Sequence, residues 1–200
     1  MKIVIFGGTF NPIHNGHLNI VEAVLNKLCP DKLIIMPTGT PPHKQAQHIV
    51  SDEDRLIMLK LAVEELDNVE VCDYEIKKEG KSYTVLTLEH FKELYPDDEL
   101  YFVMGSDMLS GFLNWYCPER IMELATLVCV SRSEEEKQRD KMSAERIASA
   151  GGRCIHIDCK AVEASSTQVR ELILNGGDTS LLLPKSVEKY ICERGLYRNA

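Results

Sequence analysis

The stretch Lys2–Leu18, KIVIFGGTFNPIHNGHL, changes pattern twice within a few residues. Lys2–Phe6 is a run of β-formers, Gly7 and Gly8 permit a tight turn, and from Gly16 the apolar residues Leu18, Val21, Leu25 and Leu28 recur at helical spacing. A strand therefore feeds a helix that ends before Pro30. This alternation continues along the chain. Lys32–Met36, Val69–Cys72, Glu99–Met104, Thr126–Ser131 and Arg153–Ile157 read as further strands. Helices are expected after Ser51, with Asp54 as capping-box partner and Leu56, Leu59, Val63 and Leu66 on one face. Others are expected at Tyr83–Tyr95, Pro118–Leu124, Lys141–Ala150, Ser166–Asn175 and Pro184–Arg194, the last two stopped by Gly176 and Gly195. Strands alternating with helices indicate an α/β fold, a Rossmann-like, open, mostly parallel sheet with helices on both faces.

Composition agrees with one folded unit. The 200 residues are 44% hydrophobic and 27% charged, with no repeat or low-complexity linker, so residues 1–200 read as a single domain. The formal net charge of -8 argues against a nucleic-acid or anionic-membrane partner, because either needs a basic face. The opening MKIVIFGGTF has too short an apolar run for a secretory signal or a membrane span, so a cytoplasmic location is expected. Seven cysteines without a CxxC pair read as thiols packed among apolar residues rather than as disulfides or a zinc site. The run Ser133–Lys141, SEEEKQRDK, reads as a solvated loop or a helix start.

The segment Gly7–His17 lies between the first strand and the first helix, where open parallel sheets bind ligands and glycine lets backbone N–H groups approach an anion. Neither GxGxxG nor a P-loop lysine is present. His14 and His17 stand three apart at a helix entrance, so both rings can face one phosphate; a metal pair and two surface histidines are the alternatives. A zinc site would need a third ligand from the scattered His43, His48, His90 or His156.

GGTFNPIHNGHL, followed late in the chain by SSTQVR, resembles the nucleotidyltransferase superfamily with its HxGH motif and distal Ser/Thr-rich motif ending in a basic residue. Together with PPHK at Pro41–Lys44, SYT at Ser82–Thr84, GSD at Gly105–Asp107, Trp115 and the late YICERGLY, it is similar to the bacterial nicotinate-nucleotide adenylyltransferase family over almost the whole chain. The resemblance implies transfer of the adenylyl group of ATP to nicotinate mononucleotide, giving nicotinate adenine dinucleotide and pyrophosphate. It implies His14, His17 and Arg170 as catalytic residues, with Gly7, Gly8, Thr9, Phe10, Gly105, Ser165, Ser166 and Thr167 joining them around ATP. Lys44, Thr84, Asp107 and Trp115 are implied for nicotinate mononucleotide.

Several of these positions have a plainer structural reading. Ser165–Arg170 can be an ordinary capped helix whose buried face is Val169, Leu172 and Ile173, Lys44 a solvated lysine, Asp107 a helix cap and Trp115 a core residue. Two positions depart from the family pattern: Asn11, where aspartate is commoner, and Ala164, where isoleucine usually precedes SST. No compact carboxylate cage is readable, so magnesium is expected to arrive with ATP. A homo-oligomer is compatible with this reading. With net charge -8, the cations of the site must gather in one cleft with helix N-termini while the excess acid lies elsewhere.

Overall fold

The computed structural model describes residues 1–39, 50–78, 80–160, 162 and 164–198. Strands β1 (Lys2–Gly8), β2 (Lys32–Pro37), β3 (Val69–Val71), β4 (Glu99–Gly105), β5 (Ala125–Ser131) and β6 (Cys154–Asp158) form one parallel sheet in the order β3-β2-β1-β4-β5-β6. The α-helices of the described residues are α1 (Asn15–Leu28), α2 (Asp52–Val63), α3 (Tyr74–Lys77), α4 (Thr84–Leu94), α5 (Ser106–Gly111), α6 (Pro118–Leu124), α7 (Glu134–Ser149), α8 (Ser166–Leu174) and α9 (Lys185–Arg194), with a 3-10 turn at Phe112–Asn114.

Period-two alternation along the central strands builds two apolar layers. Val4, Phe6, Leu33, Ile35, Val103, Val128 and Ile157 face α1, α2, α8 and α9. Ile3, Ile5, Ile34, Phe102, Met104, Leu127 and Cys129 face α4, α5, α6 and α7. With helices on both faces, a central strand has no solvent side, and every residue of β5 is buried. The sheet grows toward β3 on one side of β1 and toward β6 on the other. The loops leaving β1 and β4 therefore part company, and the crevice between them at the carboxyl edge is where such sheets receive ligands.

All six expected strands are present within two residues of their expected ends. Ser51 Oγ accepts the Asp54 N–H at 3.0 Å, as the capping box requires. The inward face of α2 differs from expectation: Leu59 and Val63 are buried, Leu56 only partly, and Asp54 and Arg55 go inside. The acidic run before Lys141 is helix, because Ser133 Oγ accepts the Glu136 N–H and Glu134, Glu135 and Glu136 complement the positive end of α7. The short helices α3 and α5 were not anticipated, being less than two turns long with no periodic stripe to reveal them.

Candidate active site

The loop after β1 is packed against its own neighbours. A Cβ at Gly8 would come within 2.9 Å of the Phe10 ring, so only glycine lets that ring fold back on the strand. Phe10 holds a left-handed φ of 47° and is 2% exposed, its ring edge-on to Phe6 at 5.4 Å and to His17 at 4.9 Å. Its side chain is thus a wedge in the core, leaving only backbone for a ligand. From beneath, Arg55, 1% exposed, donates through Nη1 to the carbonyls of Thr9 (2.9 Å) and Thr38 (2.8 Å), tying the ends of β1 and β2 together. Its Nη2 pairs with Asp52 at 2.5 Å, which keeps the buried charge compensated.

His14 caps α1 and its ring stacks on that of His17, centroids 3.8 Å apart. A Cβ at Gly16 would lie 3.0 Å from two His14 ring atoms and 3.3 Å from the Ala164 carbonyl oxygen. The glycine between the two histidines is therefore a space requirement of the ring pair. The His14 backbone N–H donates to His17 Nδ1 at 3.3 Å, so a neutral His17 carries its proton on Nε2. Burial, followed by the Arg132 charge, lowers His14 to about 4. Burial, the neighbouring His14 and Arg132 push His17 well below the ordinary histidine range. Both rings are neutral at pH 7, and each can act as a donor without first being charged.

The start of α8 reaches the same loop. Ser165 Oγ caps the helix by accepting the Gln168 N–H at 3.1 Å, and Ser166 Oγ donates to the Pro12 carbonyl at 2.9 Å. Arg170 Nη1 donates to the Asn11 carbonyl at 2.7 Å and Nη2 to Thr167 Oγ1 at 3.1 Å. The helix is indeed capped and Val169 fully buried, so the structural reading of this segment holds alongside the placement of its polar residues at the first loop.

A cavity of about 400 Å³ opens at the carboxyl ends of β1 and β4. It joins Gly7, Gly8 and Thr9 of the first loop to Thr84 at the start of α4 and to Trp115. Trp115 is half-buried and edge-on to Phe102 at 6.3 Å, so its indole is at once packed and part of the cavity wall. Gly105, at the end of β4, has open space where a Cβ would be. Asp107 is exposed in the first turn of α5 and is not among the cavity's lining residues. Lys44 lies outside the described residues.

The cytidylyltransferase-like family model matches residues 5–172, which includes the first loop, both histidines and Arg170. The chain belongs to the cytidylyltransferase-like family. A protein of Clostridium tetani (strain Massachusetts / E88), described as a probable nicotinate-nucleotide adenylyltransferase, is 41% identical over 98% of this chain and 99% of its own length. Two structures of Plasmodium falciparum nicotinic acid mononucleotide adenylyltransferase share the fold of this cytidylyltransferase-like chain. The one complexed with APC has a TM-score of 0.76 at 17% identity, covering 98% of this chain and 96% of the other. The one complexed with NaAD has a TM-score of 0.75 at 16% identity, covering 98% and 97%.

The two departures from the family pattern are accommodated. Asn11 Oδ1 accepts the Tyr197 hydroxyl at 2.7 Å and the Val50 N–H at 3.4 Å, and Ala164 is buried with its carbonyl against Gly16. Three contributors escaped the sequence reading. Arg55 sits inside an otherwise amphipathic helix, Arg132 follows β5 with no motif around it, and Glu75 lines the cavity from the unanticipated α3. Burial raises the Glu75 carboxyl above its ordinary range although Thr87 Oγ1 donates to it at 2.7 Å. Arginine inside a helix otherwise facing apolar neighbours was the one signal available, and it pointed only to Arg55.

Proposed function

We propose that the cavity and the adjoining histidine pair are the adenylyl-transfer site, in which the phosphate of nicotinate mononucleotide attacks the α-phosphorus of ATP in line. The products are nicotinate adenine dinucleotide and pyrophosphate, and the enzyme is a nicotinate-nucleotide adenylyltransferase of NAD biosynthesis. One observation carries the residue assignment: a single crevice at the switch point of the sheet joins the glycine loop to Thr84 and Trp115, with both histidines packed behind that loop.

The acceptor phosphate is already largely anionic at neutral pH, with a second pKa of about 6, so no protein base is required. The chain's task is to align two phosphates and to stabilise charge as it passes to the leaving pyrophosphate. His17, with its proton on Nε2, donates to the transferring phosphate, and His14 stacks beside it. Gly7, Gly8, Thr9 and Phe10 offer backbone groups. Ser165, Ser166, Thr167 and Arg170 present hydroxyls, a helix start and a guanidinium to the β- and γ-phosphates, Arg170 exchanging the Asn11 carbonyl for phosphate oxygen. Gly105 leaves room for the nucleotide at the end of β4. Thr84 and Trp115 receive the pyridine ring and its carboxylate, Asp107 at the rim receives ribose hydroxyls, and Lys44 meets the mononucleotide phosphate.

Among the described residues no group of three or more His, Cys, Asp or Glu side chains gathers to hold a metal ion. In this proposal magnesium would arrive with the triphosphate and neutralise phosphate charge while the chain's donors meet the remaining oxygens. Among the described residues no helix is long and apolar enough to cross a membrane. A cytoplasmic location, where ATP is abundant, belongs to the same proposal.

Purified protein supplied with ATP, magnesium and either nicotinate or nicotinamide mononucleotide tests the reading by pyrophosphate release. The nicotinate form is expected to give the higher kcat/KM. Equal or greater efficiency with the amide overturns the substrate assignment, and no release with either overturns the reaction.

A further inference from the structure

Behind the carboxyl ends of β4, β5 and β6 lies a second polar cluster that the proposed chemistry does not use. Asp140 of α7 is 2% exposed and, among the described residues, has no lysine or arginine within ion-pair distance. Its Oδ2 accepts the Ser106 hydroxyl at 2.6 Å and also the Ser131 hydroxyl. The Ser131 oxygen lies 2.5 Å from His156 Nε2. Since Ser131 has only one hydrogen and gives it to Asp140, the hydrogen of that contact comes from His156. His156 Nδ1 in turn faces Asp158 at 3.5 Å. The sequence Ser–His–Asp suggests a nucleophile, but Ser131 is 2% exposed and donates its proton to a carboxylate rather than to a base, so it cannot reach or attack a substrate.

The position of the cluster suggests another use. Ser106 is the first residue of α5, between Gly105 and Asp107. Ser131 is the last residue of β5 and precedes Arg132, whose backbone N–H donates to Glu136 Oε2 of α7 at 2.6 Å and whose guanidinium, paired with Glu136 Oε1 at 3.3 Å, lowers both active-site histidines. Beyond Gly105↔Val130, β4 and β5 exchange no further register pairs, so the rim residues that follow lack ladder bonds between these strands. A buried carboxylate whose partners are two hydroxyls and the His156 ring, 4.0 Å away, is a costly way to hold two strand ends if stability alone is at issue, because an apolar side chain would pack there without desolvation.

We infer that Asp140 is a positioning residue for adenylyl transfer: by accepting both serine hydroxyls on one oxygen it fixes the ends of β4 and β5, and with them Asp107 and Arg132, at the rim of the site. In the adenylyltransferase reading above, on which this assignment rests, Asp140 touches no substrate. It sets where two rim side chains start, and His156 continues the same clamp to β6.

The test compares Asp140→Leu, which keeps the branched shape, adds bulk and removes the acceptor, with Asp140→Asn, which keeps one oxygen for both serines. Pyrophosphate release is measured beside thermal unfolding. Folded Asp140→Leu should lose about tenfold or more in kcat/KM, and Asp140→Asn should recover to within about threefold of the wild type. In an Asp107→Ala/Arg132→Ala background the leucine substitution should cost less than about threefold further, since its effect passes through those two side chains. Wild-type kcat/KM in folded Asp140→Leu overturns the role, as does a full second loss in the Asp107→Ala/Arg132→Ala background. Should Asp140→Leu fail to fold, Ser106→Ala and Ser131→Ala are read by the same two criteria. Wild-type protein that releases pyrophosphate only with another acceptor removes the substrate reading, and the same variants assayed on that acceptor still decide Asp140.

Discussion

Mild acid should weaken this fold by a definite amount through one residue. His14 is 6% exposed and its pKa is lowered from 6.5 to about 4, chiefly by burial. The folded protein therefore binds a proton at this position less readily than the unfolded chain. Stability from the neutral ring is fully present above pH 6.5 and is lost as pH falls from there toward 4, where the folded state also takes up the proton. The full difference of about 2.5 units corresponds to about 3 kcal/mol, of which about 2 kcal/mol is already lost at pH 5. At pH 5 most carboxylates remain ionised, which separates this loss from ordinary acid unfolding. The assay is urea unfolding at pH 7.5 and pH 5.0 for the wild type and for His14→Asn, a residue that still suits a helix N-cap. Carboxylates distant from His14 contribute equally to both proteins and cancel in the difference of differences; His17, whose shift depends partly on His14, is taken out of the comparison by making both measurements in a His17→Asn background. The pH-dependent loss should be smaller in the variant by about 2 kcal/mol. If the two proteins lose equal stability between these pH values, the neutral, buried histidine pair is refuted.

Three further outcomes test the assigned roles. His17→Ala should reduce turnover by about a hundredfold or more, the scale of losing one transition-state donor, with an unchanged far-ultraviolet spectrum; near-normal turnover would discard that role. Gly16→Ala places a Cβ 3.0 Å from the His14 ring and 3.3 Å from the Ala164 carbonyl, so the ring must move, and kcat should fall by about tenfold or more. Steady-state kinetics beside a melting curve distinguish that from unfolding. Trp115→Ala should raise the KM for nicotinate mononucleotide by about tenfold while leaving that for ATP within about twofold, and equal effects on both would return Trp115 to a packing role.

How far these features were legible in the sequence varied with the range of the interactions behind them. The six strands and seven longer helices are visible because apolar periodicity and caps act over neighbouring residues, as at Ser51; only the first two turns of α7, read as solvated chain, were missed. The His14–His17 spacing is visible for the same reason. Asp140 was hidden within SEEEKQRDK, a run that looks solvated because charge dominates it; the helix turns that one carboxylate toward the serines at the ends of β4 and β5. Arg55 was hidden in the same way within α2, its burial made tolerable by two carbonyls and Asp52 from elsewhere in the chain.

Local sequence thus determined the order of elements, the glycine loop and the residue types offered to phosphate, since each depends on contacts within a turn or two. The tertiary structure alone decided which of those residues meet. It brought α8 to the first loop, joined Thr84 and Trp115 to Gly7 and Gly8 in one cavity, and enclosed the histidine pair, His14 buried and His17 half-buried, so that both rings titrate below the ordinary histidine range. Those outcomes depend on desolvation and on charges from distant segments, such as Arg132 acting on His14 and His17, which no spacing along the chain encodes.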